Sequence, residues 1–425
     1  MRKQLWTRLT AAALAALLTA ALPTGISAAA QEDTAPPVEE TPLTEILPAE
    51  PQSPQETPDE PDTPSAEEPT PVPQEIPLTE ILPAESLAQA TAENAAGAEV
   101  PYLDEDGAPQ SVPSATLVTE SDTAWADGWN AAQDSITIHS RVTVSGDVRL
   151  ILADGCELTI DGGIQVAHPN SLTIYGQSEG SGRLTATAPA ESNIYHAAIG
   201  GSTNVQIWEV NYCGSVTING GDVTATGGDA SSGIGGGPVS GGKIVINGGT
   251  VTATGGNNAA GIGGGMQGNG GSVTINGGEV TATGGNQAAG IGSGTMGGRI
   301  QIQINGGTVN ATGGSQGAGI GDGMECSNDG SITITGGTVT ATGGYQGTGI
   351  GGGAKTPGGK ITISGGTVTA NGADGASGIG HGGLGATGGE ITISGGTVTA
   401  GLGTRASAAR MPQKTIALSV KQVGS

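Results

Sequence analysis

One segment of 28 to 30 residues occurs seven times in succession between Gly214 and Leu402. A typical copy reads S-V-T-I-N-G-G-E-V-T-A-T-G-G and is followed, after a few small or polar residues, by G-I-G. Only the last copy lacks the G-I-G. A repeat this short cannot enclose a core by itself, so successive copies must stack and bury their apolar residues against one another.

Apolar and polar residues alternate within each copy, as they do in a β-strand. In the copy Ser272–Gly294, the V-T-I and V-T-A segments are separated by two glycines, and the isoleucine of G-I-G adds a third short segment. Glycine and β-branched residues dominate every window, which excludes helices. The predicted inward residues of this copy are Val273, Ile275, Val280, Ala282 and Ile291.

These patterns predict an all-β fold, a single-stranded parallel β-helix (solenoid) with three strands in each coil of about 29 residues. Val, Ile and Ala side chains suit a narrow interior, and the chain contains no Phe. Glycine pairs let the chain turn sharply at the corners. The prediction includes a ladder of stacked asparagines at one corner, formed by Asn219, Asn247, Asn276 and Asn305.

Other segments flank the regular copies, which occupy residues 214–402. Residues 1–30 have a basic start and an apolar run, and are predicted to be a secretory signal peptide. Residues 31–113 are rich in Pro and Glu, a composition that predicts a disordered acidic spacer. Residues 114–213 show weaker alternation and are predicted to form an N-terminal cap with two or three diverged coils. Residues 403–425 contain one amphipathic strand, which is either a C-terminal cap or part of a tail.

Charge and cysteine content exclude several classes of function. The formal net charge is −25, and residues 31–106 carry 20 acids and no base, so most of the acidity belongs to the spacer. A chain without a basic stripe is not expected to bind nucleic acid. Beyond the signal peptide, no apolar run reaches the roughly 20 residues of a membrane span. Three cysteines allow at most one disulfide, and four isolated histidines do not predict a zinc site.

Three kinds of segment follow one another along the chain: the run VTVSGDVRLILADGCELTIDGGIQV, then SLTIYGQSEGSGRL, and then the iterated TINGGTVTATGG and GAGIGGG segments. Together they resemble a β-helical module of exported surface proteins of gut Firmicutes. They are more distantly similar to polysaccharide-binding β-helix proteins of clostridia, which have the pectin-lyase-like architecture. The resemblance covers about residues 135–402. It implies a secreted or cell-surface protein that binds carbohydrate, in some members with calcium held by Asp-rich turns. In this chain, only Asp322 stands in that turn.

The V-T-A-T segments predict a flat outward face of threonines, which we call the threonine face. Side chains of one strand repeat about every 6.7 Å on one side, and stacked coils repeat them about every 4.8 Å. Such a grid of hydroxyl and methyl groups could bind a glycan or ice, although threonine is also simply a favourable exposed strand residue. The predicted ligand-binding residues are Thr224, Thr226, Thr252, Thr254, Thr281, Thr283, Thr340 and Thr342.

Two smaller groups are further candidate sites. Trp125 and Trp129 are four residues apart and would form either an aromatic platform for a sugar ring or a cap on the first coil. Asp322, Glu325 and Asp329 lie in the most polar insertion of the array, where oxygen ligands could hold calcium or simply face solvent. No other cofactor is expected.

Catalysis on a β-helix requires clustered charge. Asp222 and Glu279 occupy the same position in two copies, but Thr250 lies between them, so their backbones are about 9.6 Å apart. The sequence therefore predicts a non-catalytic exported protein that adheres to, or binds, polysaccharide or cell-wall glycan. The alternative is a structural stalk. A polysaccharide lyase and an ice-binding protein are two less favoured alternatives. Oligomeric state, handedness and anchoring are not predicted.

Overall fold

The computed structural model describes residues 99–401, except 190–193, 205, 208, 270, 328, 329 and 387, and also the backbone of 416–419. The predicted signal peptide, and residues 31–98 of the predicted spacer, lie outside the described residues. Within them, no helix is long and apolar enough to cross a membrane.

The regular secondary structure of the described residues consists of strands, the first of which begins at Val100. Up to the third coil they are β1 (Val100–Leu103), β2 (Pro109–Val112), β3 (Thr116–Leu117), β4 (Ala124–Trp125), β5 (Gly128–Ala132), β6 (Ser135–Ile138), β7 (Val142–Val144), β8 (Asp147–Leu152), β9 (Glu157–Ile160), β10 (Ile164–Gln165), β11 (Ser171–Gly176), β12 (Arg183–Thr187), β13 (Ile194–His196), β14 (Ile199–Gly200), β15 (Ser202–Asn204) and β16 (Glu209–Asn211).

The regular coils follow without a break in the pattern. Their strands are β17 (Ser215–Ile218), β18 (Asp222–Thr226), β19 (Ile234–Gly235), β20 (Lys243–Ile246), β21 (Thr250–Thr254), β22 (Ile262–Gly263), β23 (Ser272–Ile275), β24 (Glu279–Thr283), β25 (Ile291–Gly292), β26 (Gln301–Ile304), β27 (Thr308–Thr312), β28 (Ile320–Gly321), β29 (Ser331–Ile334), β30 (Thr338–Thr342), β31 (Ile350–Gly351), β32 (Lys360–Ile363), β33 (Thr367–Asn371), β34 (Ile379–Gly380), β35 (Glu390–Ile393), β36 (Thr397–Gly401) and β37 (Ile416–Ser419).

Three long sheets run along the solenoid. Sheet 1 contains β3, β5, β8, β11, β17 and every third strand thereafter to β35, and sheet 2 contains β6, β9, β12, β18 and every third strand to β36, followed by β37. Sheet 3 contains β4, β7, β10, β14, β19 and every third strand to β34. Apart from β37, the strands of these three sheets pair in parallel with the equivalent strands of the neighbouring coils. The predicted parallel β-helix is confirmed, with seven regular coils preceded by three diverged ones.

The core is the column of inward side chains predicted from the repeat. In the sixth coil, Val273, Ile275, Val280, Ala282 and Ile291 are all fully buried. The same positions are buried in the neighbouring coils, so one continuous apolar cluster extends from Val118 to Val398. Each coil therefore depends on its neighbours for burial of its own apolar residues.

The corner between sheets 1 and 2 is held by the predicted asparagine ladder. The side-chain amide of Asn247 donates to Oδ1 of Asn219 (2.8 Å), that of Asn276 to Asn247 (2.7 Å), and that of Asn305 to Asn276 (2.7 Å). The hydroxyl of Thr335 continues the ladder by donating to Oδ1 of Asn305 at 2.9 Å. The second glycine after each of these asparagines has a positive φ, which is +80° at Gly278, and this conformation favours glycine.

The N-terminal boundary differs from the prediction. Strands β1 and β2 form an antiparallel hairpin within the range assigned to the spacer. Val100 and Val112 of this hairpin pack on the outer side of sheet 1, against Ala131 and Ile151. The spacer therefore cannot extend to residue 113, since the apolar residues of the hairpin have a partner on the first coils.

Two further departures from regular coiling occur at the third and tenth coils. In the third coil, β13, β15 and β16 form a small antiparallel sheet beside β14. At the other end, β37 pairs antiparallel with β36 and extends sheet 2. This strand lies where the sequence predicted one amphipathic strand.

Candidate functional site

The threonine face is the outer side of sheet 2, and its residues are aligned from coil to coil. Thr224 is paired with Thr252 of the next coil, and Thr252 with Thr281. The column then continues through Asn310 to Thr340. A second column joins Thr226, Thr254, Thr283, Thr312 and Thr342 in the same way. The structure therefore brings all eight predicted residues of this face together.

The side chains of the threonine face are accessible. Thr226, Thr281 and Thr283 are exposed, and the other five predicted residues are half-buried by their neighbours in the column. None of the eight hydroxyls has a hydrogen-bond partner among the described residues. The hydroxyl and methyl groups of this rigid sheet therefore face solvent, and the hydroxyls are not already engaged in hydrogen bonds within the described residues. Such a surface is suited to contacts with a repetitive neutral polymer.

A third column of this face was only partly noticed in the sequence. Asp222, Thr250, Glu279 and Thr308 are paired successively along sheet 2. As expected, Thr250 separates the two carboxylates. However, Arg183 of β12 is paired with Asp222, and its Nε lies 3.5 Å from Oδ2 of that carboxylate. Arg183 belongs to the third coil, one of the three diverged coils.

Sequence reasoning also missed a polar column on the outer side of sheet 1. Thr217, Val245, Thr274, Gln303 and Thr333 are paired in this order. The alternation of each strand contained this signal, but the more uniform V-T-A-T segments were more prominent. This column is less regular than the threonine face, because Val and Gln interrupt it. A substitution in this column can therefore serve as a control for substitutions in the threonine face.

The two tryptophans do not form a platform. Trp125 is only 2% exposed and belongs to the main core, where its Nε1 donates to Oδ2 of Asp122 at 3.0 Å. Trp129 lies in a different sheet and is half-buried. The platform prediction is therefore wrong for Trp125, which covers the N-terminal end of the core as the alternative reading expected.

Trp129 instead belongs to an aromatic cluster on the outer side of sheet 1. Its ring centroid is 4.7 Å from that of Tyr102 in the hairpin and 5.2 Å from that of Tyr175. The guanidinium of Arg149 lies 5.5 Å from the Trp129 ring centroid. The rings are tilted against one another, so they cover one another's faces and fasten the hairpin rather than offering a flat surface to a sugar.

The candidate calcium ligands are not assembled into one site. Asp322 is 6% exposed and accepts a hydrogen bond from Ser293 Oγ at 2.8 Å. Burial raises the pKa of Asp322 to about 6, and the Ser293 hydrogen bond opposes this shift. Glu325, in contrast, pairs with Lys355 at 2.6 Å on the surface. Asp329 lies outside the described residues, among which no group of three or more His, Cys, Asp or Glu side chains converges.

The three cysteines, Cys156, Cys213 and Cys326, are all buried and unpaired. Burial raises the pKa of Cys213 and of Cys326 to about 12. Neither thiol is therefore ionised at neutral pH, and neither has the thiolate character that a nucleophile requires. In the structure they fill space in and beside the core.

The regular coils match a protein-family model described as a beta helix repeat. The matched segments are residues 216–238, 244–266, 273–295, 302–324, 332–354, 361–380 and 391–409. No curated protein and no solved structure matches the chain. The match agrees with the coils seen in the structure and assigns neither a ligand nor a reaction.

Proposed function

We propose that this β-helix repeat protein is an exported, non-catalytic protein of the cell surface that binds polysaccharide through its threonine face. The observation that carries the proposal is the coil-to-coil alignment of threonines whose hydroxyls have no partner among the described residues. Export is supported by the basic start and apolar run of residues 1–30.

The chemistry of the face suits a glycan. Each threonine offers a hydroxyl, which both donates and accepts hydrogen bonds, beside a methyl group that contacts the C–H surface of a sugar ring. The side chains are held by a rigid sheet, so little conformational entropy is lost when a ligand binds. Single contacts of this kind are weak, but a polymer that crosses several coils makes many of them at once.

A pull-down tests the proposal. The full chain is mixed with insoluble polysaccharides and bacterial cell walls, with and without a calcium chelator. The double variant Thr281→Lys, Thr283→Lys places two long charged side chains in the centre of the face, and we expect it to weaken binding by at least about tenfold, or about 1.4 kcal/mol. Both positions are exposed, so the fold should tolerate the change.

The matched control is Thr274→Lys, in the same coil but on the outer side of sheet 1. It should bind as the wild type does. Equal binding by all variants, or no binding to any polysaccharide, would refute the proposal. If binding is unchanged in the variants and is lost when the chelator is added, the binding would instead be assigned to a calcium site.

A structural stalk is the second candidate. It is favoured by the unbroken in-register pairing of the regular coils, which makes a rod of constant cross-section. Deleting residues 272–300 removes one complete coil and joins equivalent positions, since Ser272 is paired with Gln301. A stalk should keep its function when shortened in this way, whereas a glycan-binding face should lose affinity with each coil that is removed.

A further inference from the structure

The corner that leads into sheet 3 in the first three coils contains an arginine without an acidic partner. Arg141 precedes β7, and its Nη1 donates to the carbonyl oxygens of Gly162 (3.0 Å) and Ala197 (3.1 Å). Its Nε donates to Oε1 of Gln165 at 3.4 Å. The side chain thus joins all three diverged coils, but every acceptor it contacts is neutral. Among the described residues no carboxylate forms an ion pair with it.

Two nitrogen atoms at this corner are buried and have no hydrogen-bond partner among the residues that the structure describes. They are Nη2 of Arg141 and Nδ1 of His196. Arg141 contacts the carbonyl oxygen of Ala197, the residue that follows His196, and the charge of Arg141 adds to the effect of burial in lowering the pKa of His196, so the two side chains lie in the same corner. Both residues are half-buried as a whole, so the remainder of each side chain reaches solvent.

This arrangement is energetically unfavourable as it stands. Burial lowers the pKa of Arg141 to about 9, so the guanidinium is still charged at neutral pH. A desolvated charge without a counter-charge is costly, and an unpaired buried donor adds to that cost. A water molecule could satisfy the two nitrogen atoms, but it would not neutralise the guanidinium. An anion would do both.

We propose that the corner formed by Arg141 and His196 is a binding site for a small carboxylate anion. One carboxylate oxygen accepts from Nη2 of Arg141, and the ring of His196 donates to the anion in the tautomer that carries hydrogen on Nδ1. Carboxylates are favoured because a guanidinium matches their planar geometry. The carboxylate comes either from a free small acid or from an acidic sugar, and the site is independent of the threonine face.

The experiment is a titration of the full chain with sodium acetate or sodium glucuronate at constant ionic strength, with sodium chloride as the reference salt. The C2 proton of His196 is followed by NMR, and the melting temperature is measured in parallel. At present, burial and the adjacent Arg141 charge lower the pKa of His196 to about 4. A bound carboxylate should raise it by about one unit or more, because it neutralises that charge.

We expect saturable stabilisation by acetate, and also by glucuronate if the opening admits a sugar ring. The variant Arg141→Gln should abolish both the stabilisation and the movement of the His196 signal, whereas Arg141→Lys should retain part of each. Lys243→Gln removes an exposed lysine of sheet 1 and should respond as the wild type does. Because Arg141→Gln could lower stability by itself, the wild-type NMR titration provides a separate test. The proposal would be overturned if neither acetate nor glucuronate shifted the His196 signal by more than chloride does.

Discussion

Replacing Asp322 by asparagine should stabilise the protein at neutral pH and leave it nearly unchanged in acid. The carboxyl is 6% exposed, and its pKa is raised from 3.8 to about 6. A raised pKa means that the folded state binds the proton more tightly than the unfolded state does. The stability contributed by the protonated group is therefore complete below about pH 4 and is lost as the pH rises to about 6. A shift of about two units corresponds to about 3 kcal/mol.

Asparagine has nearly the shape of the acid, and its carbonyl oxygen can still accept the hydrogen bond from Ser293. We therefore expect the free energy of unfolding of Asp322→Asn to exceed that of the wild type by about 3 kcal/mol at pH 7 and to equal it near pH 4. Cys326 also contacts Ser293, and it stays protonated throughout this range because its pKa is about 12.

Urea unfolding followed by circular dichroism at pH 4, 5, 6 and 7 measures this difference. Comparing variant with wild type at each pH cancels the contributions of all other titrating groups. Glu279→Gln, which removes an exposed carboxylate, is the control and should change the unfolding free energy by less than about 0.5 kcal/mol at pH 7. A difference between Asp322→Asn and wild type that is the same at pH 4 and pH 7 would show that the buried carboxyl is not the cause.

Three other substitutions or treatments test the packing of the coils. Asn276→Ala removes two ladder hydrogen bonds and should cost about 1 to 2 kcal/mol in urea unfolding; no loss would mean that the ladder adds no stability. Gly278→Ala should destabilise the protein more than Gly155→Ala. The two glycines have nearly the same φ, +80° and +78° respectively, but only at Gly278 would the new Cβ lie 2.6 Å from a carbonyl oxygen of the preceding coil. Equal losses would contradict this. Cys213 and Cys326 should not react with a thiol reagent at pH 8 until the protein is unfolded, and rapid labelling would show that the coils open.

The regular coils could be predicted closely because every copy repeats the same local rule. Alternation assigns Val273 and Ile275 inward, and the same assignment in seven copies fixes how the copies must pair. The asparagine ladder and the alignment of Thr252 with Thr281 follow from that register alone. Local patterns were sufficient here because each strand contacts the equivalent strand of the next copy.

The parts that could not be predicted depend on contacts between dissimilar segments. The hairpin of β1 and β2 lies in a Pro-rich and acidic stretch, and it is held by Tyr102 packing on Trp129 and on Tyr175, far along the chain. Composition favoured a spacer, and no periodic signal connected these rings. Likewise, the inward direction of Asp322 depends on the path of one turn, which residue type alone does not determine.

Stacking at about 4.8 Å restricts which side chains a repeated outward position can carry. Like charges directly opposite one another at this spacing would repel by roughly 1 to 3 kcal/mol for each pair. Accordingly, from the third coil onward no charged residue in the described strands of sheets 1 and 2 has a like-charged residue opposite it. Arg183 instead lies between Glu157 and Asp222, and Lys360 is paired with Glu390.

A regular array of this kind can therefore repeat only neutral groups, and threonine is the neutral polar residue best suited to an exposed strand. The ligand that we propose for the threonine face is accordingly a polymer with repeated neutral hydroxyl groups, since from the third coil onward the described strands of sheets 1 and 2 do not place like charges opposite one another. Unpaired positive charge is found instead in the diverged coils, at Arg141. If both proposals hold, neutral polysaccharides should depend on the threonine face and be insensitive to Arg141→Gln, whereas free acidic sugars should show the opposite dependence.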